Sequence, residues 1–148
     1  MKFFFENVDL NSTSGPNSFA RKLVKYMYQR KHTMTNKLDE ADAHLCFIES
    51  RMQNKNVPLF QRLDGIYFNS SQDFKGQNSS IEKTYNRSKG VVFQTNFNKE
   101  LTFRYFGDHP NTKVIHNGAD LDLISTIKPL AHTKIKNCEN LCKPYSYS

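Results

Sequence analysis

Lys113-Val-Ile-His-Asn-Gly-Ala-Asp120 is the stretch that decides the fold of this chain. Two β-branched residues follow a polar turn and predict a short buried strand. Asn117-Gly118 is a turn dipeptide whose glycine can adopt the positive φ of a sharp reversal. Asp120 stands where a helix cap would, ahead of an apolar segment. Strand, tight loop and helix in this order are the unit of an open α/β sheet, where ligands bind at such loops. An ordinary turn without a ligand has the same pattern.

The same alternation of strand and helix recurs along most of the chain. Strand-like apolar runs lie at 2–5, 43–48, 57–63 and 91–93, with a brief one at 32–35. This spacing predicts an α/β fold in a single domain, with a doubly wound, mostly parallel, Rossmann-like sheet. Right-handed crossovers would place the loops at Gly15, Asp64, Gln94 and Asn117 on one edge of that sheet.

The first predicted helix follows a polar loop at 7–18. Phe19, Leu23 and Met27 recur at helical spacing, and Pro16 lies at the entrance, where its missing N–H does no harm. The unpaired N–H groups of such a helix start can receive an anion or a sugar hydroxyl. Because the loop holds a single glycine, Gly15, it is neither a dinucleotide fingerprint nor a P-loop.

A capping box predicts the next helix. Ser79 and Glu82 have the required spacing, which predicts a helix over 79–89 with Gly90 as its end.

Asn96 is predicted to cap a further helix. Phe97, Leu101 and Tyr105 recur at i, i+4 and i+8, which predicts that they form its buried face.

A basic and an acidic side chain stand two residues apart at the end of the run 57–63. Arg62 and Asp64 would face the same way in a strand, and Gly65 follows. A structural ion pair and a ligand-contacting role are both open.

The net charge of +7 raises the question of nucleic acid or an anionic membrane. The densest basic cluster, at 21–31, follows a helical pattern with an apolar opposite face, which favours a solvated helix face over a nucleic-acid patch. No apolar stretch approaches the roughly 20 residues of a membrane span, and the run at 3–5 is too short for a signal peptide. We therefore expect a cytoplasmic protein with no transmembrane segment and no nucleic-acid partner. Peripheral attachment to a membrane stays open.

The three cysteines are an odd number without a metal-like spacing. Cys46 lies in an apolar run and is predicted to be a buried thiol, while Cys138 and Cys142 lack a nearby histidine pair. A reducing compartment is the simplest interpretation. No metal site is predicted.

Five segments occur in order and at fitting distances and together resemble a known family. They are Asn11-Ser-Thr-Ser-Gly-Pro16, Gln61-Arg-Leu-Asp-Gly-Ile-Tyr-Phe-Asn69, Gly90-Val-Val-Phe-Gln-Thr-Asn-Phe-Asn98, Tyr105-Phe-Gly107 and Val114-Ile-His-Asn-Gly-Ala-Asp120. Residues 1–129 resemble the N-terminal, acceptor-side half of GT-B-fold glycosyltransferases of the family 4 type.

The resemblance implies one Rossmann-like half of a two-domain enzyme. Such enzymes transfer a hexosyl group from a nucleotide-sugar donor to an acceptor hydroxyl, with retention and without a metal. The N-terminal half holds the saccharide or glycan acceptor. The other half binds the nucleotide-sugar, which is a co-substrate rather than a cofactor, and carries paired glutamates.

Site residues are carried over by position. Gly15, Pro16 and Asn17 match the loop that approaches the donor's phosphates and sugar. Asp64, with Arg62, is the catalytic candidate, although many members have a histidine at this strand end and this chain has none. The candidate substrate-binding residues are Gly15, Pro16, Asn17, Gly65, Asn69, Gln94, Asn96, Asn117, Gly118 and Asp120.

The length departs from the family pattern. The chain stops about where the family crosses into its second domain, with residues 130–148 expected as an irregular tail at that crossing. The donor-binding half is therefore expected to be missing and the isolated chain inactive. Truncation, a separate donor-binding subunit and a non-catalytic carbohydrate- or partner-binding module are the alternatives, and the Tyr-Ser-rich end favours truncation.

Overall fold

Strands and helices alternate along most of the chain, as the sequence predicts, except that the fourth strand follows the third with no helix between them. A computed structural model describes residues 1–12, 14–54, 56–119 and 121–128. The strands are β1 (Lys2–Glu6), β2 (Thr33–Met34), β3 (Ala43–Phe47), β4 (Leu59–Leu63), β5 (Gly90–Phe93) and β6 (Thr112–Val114). The helices are α1 (Gly15–Gln29), a short 3-10 helix (Leu38–Glu40), α2 (Phe74–Arg87), α3 (Asn96–Phe106) and α4 (Leu121–Thr126).

The chain divides into two compact units, Met1–His116 and Asn117–Ser148. The first unit holds a six-stranded sheet in the order β2-β1-β3-β4-β5-β6, and every neighbouring pair is parallel. The predicted α/β, Rossmann-like fold is confirmed. Within the second unit, α4 lies where the apolar segment after residue 120 predicts a helix.

Two adjacent residues of β4 show which helices cover which face of the sheet. The guanidinium of Arg62 lies over the ring of Phe19 in α1, at 4.0 Å from its centroid. The neighbouring Gln61 side chain donates to the carbonyl of Ile81 in α2, over 3.3 Å. Because successive side chains of a strand point to opposite faces, α1 and α2 cover opposite faces.

The larger part of the core lies between the sheet, α2 and α3. Leu63, Ile81, Tyr85, Val91 and Phe93 are buried together there. The Tyr85 hydroxyl donates to the carbonyl of Gly107 over 2.8 Å, which satisfies its polar atom inside an apolar cluster.

The predicted start of α2 is wrong by five residues. The helix begins at Phe74, and its cap is Asp73, whose carboxylate accepts from the Gly76 N–H over 3.0 Å. Asn78, within the added turn, exchanges two hydrogen bonds with the backbone of Tyr67, which fixes that turn against the preceding loop. The helix ends at Arg87, so Gly90 is the first residue of β5 rather than the helix end.

The predicted buried face of α3 is wrong at two of its three positions. Phe97 is 63% exposed and Tyr105 is 40% exposed, whereas Leu101 packs against the core, as predicted. Thr95 rather than Asn96 caps the helix, through a bond from the Asn98 N–H. The Asn98 side chain donates to the backbone carbonyl of Asp64 over 2.6 Å. This bond turns Asn98 and, one turn later, the fully buried Thr102 towards the sheet.

Candidate functional site

The strand order defines where a ligand would bind. The chain runs from β1 to β2 on one side and returns to β3 on the other, so the direction of winding switches between β1 and β3. Open α/β sheets bind ligands in the crevice at the carboxyl ends of the strands at such a point. A cleft of about 540 Å³ lies there, lined in part by Asn7, Asn17, Glu49, Arg51, Tyr67 and Gln77.

The two strands beside the cleft end in an unusual backbone conformation. Asn7 follows β1 with φ 61°, and Ile48 follows β3 with φ 70°. Asparagine tolerates the left-handed region, whereas a β-branched residue there is strained. Strain of this kind concentrates at functional sites, where the surrounding structure enforces it.

Bonds from β4 hold Ile48 in its strained conformation. The Ile48 N–H donates to the carbonyl of Arg62 over 2.9 Å. The carbonyl of Ile48 accepts from the side-chain amide of Gln61 over 2.6 Å. The backbone of Ile48 is thus fixed on both sides of its Cα atom.

Asn7 joins the two strand ends. Its side-chain amide donates to the carbonyls of Phe47, over 3.2 Å, and Glu49, over 2.6 Å. Side-chain hydrogen bonds of Asn7 therefore link the ends of β1 and β3, in addition to the backbone pairing of the two strands.

A buried carboxylate lies directly beneath this junction. Glu6, at the end of β1, accepts from the Arg51 N–H over 2.9 Å and pairs with Nε2 of His44 at 2.8 Å. Burial lowers the pKa of His44, and the neighbouring Glu6 opposes this in part. His44 is therefore a neutral imidazole at neutral pH, with Nε2 in close contact with the Glu6 carboxylate.

Helix α2 fixes the same backbone from a third direction. The Ser50 N–H donates to Oγ1 of Thr84, and the Arg87 guanidinium donates to the Ser50 carbonyl, each over 2.9 Å. Ile48, Glu49 and Arg51 form one wall of the cleft, and side chains from β1, β4 and α2 hold the backbone of 48–51. A wall fixed before binding lowers the entropic cost of capturing a ligand.

The start of α1 forms the facing wall. Asn17 accepts from the Asp9 N–H over 3.0 Å, which closes the loop between β1 and α1. The side chain of the N-cap residue, Ser14, makes no capping hydrogen bond, and a methyl group added to Gly15 would meet nothing within 4 Å. The first turn of α1 is thus open to an approaching group.

The catalytic candidates form an ion pair at the end of β4. Arg62 is 4% exposed, forms an ion pair with the carboxylate of Asp64 and lies against the rings of Phe19 and Phe47. Because Arg62 is enclosed, a contact with a ligand at this strand end would come from Asp64, which is partly exposed.

The other candidates fall into three groups. Gly65 lies two residues after the end of β4, Gln94 directly follows β5, and Asn96 begins α3, so they share the carboxyl edge with the cleft. Asn69 lies further along the loop after β4 and accepts from the Ser71 N–H and hydroxyl. Asn117 and Gly118 belong to the second unit, and Asp120 lies outside the described residues, so their place in a common site stays a prediction.

Of the predicted site residues, Pro16 and Asn17 line the cleft, whereas most of the lining was missed. Asn7, Glu49 and Arg51 follow strand ends whose importance depends on the strand order. Gln77 was assigned to a loop because the start of α2 was misplaced. Tyr67 could have been identified as a lining residue from the sequence, because it lies within a segment that carries the resemblance to the family.

A second cavity, of about 670 Å³, lies at the opposite edge of the sheet. Its lining includes Pro58 and Leu59 at the start of β4, Arg87 at the end of α2 and Lys89 beyond it. Amino ends of parallel strands are not where such sheets bind ligands, so the smaller cleft is the better candidate.

Metal and thiol chemistry find no support in the described part of the chain. Residues 1–12, 14–54, 56–119 and 121–128 contain no group of three or more potential metal ligands. Cys46 is a buried free thiol, as predicted, and burial raises its pKa to about 12, which makes it unreactive. Cys138 and Cys142 lie outside the described residues.

No helix among the described residues combines the length and apolarity needed to cross a bilayer.

Comparison with known proteins finds no match: no protein family, no curated protein and no solved structure matches this chain. Fold and geometry thus define a parallel-sheet, Rossmann-like α/β domain with a pre-formed cleft at its switch point.

Proposed function

We propose that this chain is the acceptor-side half of a GT-B-type glycosyltransferase of the family 4 type. It holds a saccharide hydroxyl for attack on a nucleotide-sugar that a separate donor-binding half presents. The observation that carries the proposal is the cleft between β1 and β3, because it lies at the edge where the resemblance places the acceptor.

The lining of the cleft suits a polyhydroxylated ligand. Asn17 and Gln77 offer amides that both donate and accept, and Glu49 offers a carboxylate, so together they can match the paired hydroxyls of a sugar. Tyr67 is exposed, so its ring can stack on the apolar face of a pyranose.

The charge of the cleft favours a neutral acceptor. The guanidinium of Arg51 pairs with the carboxylate of Glu49 at 3.3 Å, so the two charges of this wall offset each other. A phosphorylated acceptor would instead need an unpaired cation or a cluster of basic side chains.

The proposed roles follow from the position of each group. Asp64 lies at the same carboxyl edge but is not among the residues that line the cleft. Oriented by Arg62, it would hold the hydroxyl of an acceptor that extends from the cleft along this edge, within reach of the anomeric carbon. The first-turn N–H groups of α1, near Gly15 and Asn17, stabilise charge on the departing diphosphate. The donor-binding half supplies the remaining contacts.

Exposed apolar side chains at the carboxyl edge support contact with a partner domain. Ile48, Tyr67, Phe68 and Phe97 are exposed, and all four lie in segments that follow the carboxyl ends of β3, β4 and β5. A concentration of apolar surface along one edge is typical of a face that another domain covers.

The alternative is a non-catalytic carbohydrate- or partner-binding module derived from the same fold. The observation that favours it is the enclosure of Arg62 and its pairing with Asp64, where many members of the family have a histidine. This alternative retains saccharide binding but predicts no sugar transfer.

Titration with a panel of neutral mono- and disaccharides, followed by NMR, tests the binding step. We expect saturable shifts in wild type and roughly tenfold weaker binding in Tyr67→Ala, because one stacking contact is lost. Tyr28→Ala, an exposed tyrosine of α1 outside the cleft, is the matched control. Absence of binding to every sugar, or equal binding by Tyr67→Ala, would overturn the site.

Turnover separates the two functions. With a nucleotide-sugar and a donor-binding half added in trans, the enzyme hypothesis predicts transfer that depends on Asp64. Saccharide binding without transfer under every supplementation would leave the non-catalytic module.

A further inference from the structure

The positive charge of this chain is concentrated in a single segment. Residues 10–38 contain six Lys and Arg residues and no Asp or Glu. The other 119 residues carry 15 basic and 14 acidic side chains, a net charge of +1. Almost the whole excess of +7 therefore belongs to α1 and the connections beside it.

Helix α1 carries three of these six cations and presents them to solvent. Arg21, Lys22 and Lys25 are exposed, whereas Ala20 and Val24 are buried. At 3.6 residues per turn, the three cations fall within an arc roughly 100° wide on the side away from the buried residues. Arg30 and Lys31 continue the exposed positive charge past the end of the helix.

Two tyrosines flank this arc. Tyr26 is 51% exposed and Tyr28 is 54% exposed. Two residues apart on a helix, they point about 200° apart, so one stands on each side of the cations. The guanidinium of Arg30 lies over the Tyr26 ring, 4.5 Å from its centroid, and also contacts its hydroxyl.

We propose that the outer face of α1, formed by Arg21, Lys22, Lys25, Tyr26 and Tyr28, docks on the anionic headgroups of a lipid bilayer. Lysine and arginine side chains near such a surface are attracted by its negative potential, and tyrosine rings favour the headgroup level. The buried side of α1 stays on the sheet, so docking is electrostatic and peripheral. This inference is independent of the proposed sugar transfer.

The shape of the face favours a bilayer over a nucleic acid. The two rings stand on opposite sides of the basic arc, so they cannot stack on successive bases of one strand. A broad anionic surface can meet the cations and both rings together. A protein partner would require an apolar centre, and this face has a basic one.

Co-sedimentation with vesicles tests the proposal on the full chain. We expect binding to phosphatidylcholine vesicles that contain about 30% phosphatidylglycerol, none to pure phosphatidylcholine, and loss of binding between about 50 and 500 mM salt. The variant Arg21→Gln/Lys22→Gln/Lys25→Gln should lower the partition coefficient roughly 100-fold, or about fivefold per cation.

The matched control removes the same charge elsewhere. Lys75→Gln/Lys83→Gln/Arg104→Gln changes three exposed cations of α2 and α3 and should retain most of the binding. Circular dichroism verifies the fold of both variants. The salt series uses the wild-type protein alone, so it tests the proposal even if a variant fails to fold.

Three outcomes would overturn the proposal. The first is equal binding to both vesicle types, and the second is an equal loss of binding in the control variant. The third is tighter binding to a labelled single-stranded or duplex oligonucleotide than to anionic vesicles, abolished by the α1 variant, which would assign the face to nucleic acid.

Discussion

The side-chain amide of Asn7 donates to the backbone carbonyl of Glu49 over 2.6 Å, across the switch point of the sheet. Asn7 has φ 61°, so it combines a rare backbone conformation with a bond that only its amide can make. Asn7→Ala should lower the free energy of unfolding by about 2 kcal/mol, since it loses both the bonds and the tolerance of positive φ. Asn7→Gly should cost about 1 kcal/mol, because glycine keeps the conformation. Urea denaturation measures both, and equal costs would show that the backbone conformation contributes nothing.

Ile48 should be a position where truncation costs little. Its positive φ costs a β-branched residue roughly 1–2 kcal/mol, which offsets part of what its side chain, 38% exposed, gains from burial. Because the relieved strain opposes the lost contacts and the added chain entropy, we expect Ile48→Gly to change the free energy of unfolding by less than about 0.5 kcal/mol. Ile115→Gly, at an exposed isoleucine without positive φ, should lower it. Destabilisation of both variants to the same extent would contradict the strain at Ile48.

The pair of Glu6 and His44 should make stability depend on pH. Burial lowers the pKa of His44 below its ordinary 6.5, so the unfolded chain binds a proton that the folded chain does not. The contribution is complete above about pH 6.5 and is lost as the pH falls below it, by at most about 1.4 kcal/mol per pH unit. Urea denaturation at pH 7.5 and 5.5 should show this loss in wild type and a smaller one in His44→Gln. His116→Gln, at an exposed histidine, is the control.

The two phenylalanines at positions 93 and 97 should respond very differently to truncation. Phe97→Ala should change the free energy of unfolding by less than about 0.5 kcal/mol, because the side chain is exposed. Phe93→Ala should cost about 3–5 kcal/mol, because its ring is fully buried and packs edge-on against Phe103. Thermal denaturation of both variants measures the contrast, and a large loss in Phe97→Ala would contradict the rotation of α3.

The fold could be predicted because its signals are local. The strands β3 and β5 are short apolar runs between turn residues, and the helices between strands announce a parallel sheet. The wrong predictions, the start of α2 and the buried face of α3, lie where a contact between residues distant in sequence decides between two locally plausible structures. Asp73 and Ser79 are both suitable helix caps. The hydrogen bonds between Asn78 and the Tyr67 backbone favour the start of α2 after Asp73, because they hold Asn78 within the helix. The rotation of α3 follows from the bond between Asn98 and the Asp64 carbonyl, which no helical pattern reveals.

The candidate cleft was predictable only in part. Pro16 and Asn17 were found because a helix start after a strand is a recognisable feature. Asn7 and Glu49 meet because β3 lies beside β1, and a sequence that only alternates strands and helices does not specify which strands become neighbours. The arrangement of Arg62 against Phe19 and Phe47 likewise depends on where α1 packs.

The two outermost strands of the described sheet, β2 and β6, are only two and three residues long. Long unpaired edges are templates on which a second chain can add its own backbone, which leads to aggregation and fibrils. Edge strands as short as β2 and β6 leave few unpaired backbone amide and carbonyl groups with which a second chain could pair. We therefore expect concentrated solutions of the folded protein to resist amyloid-like polymerisation.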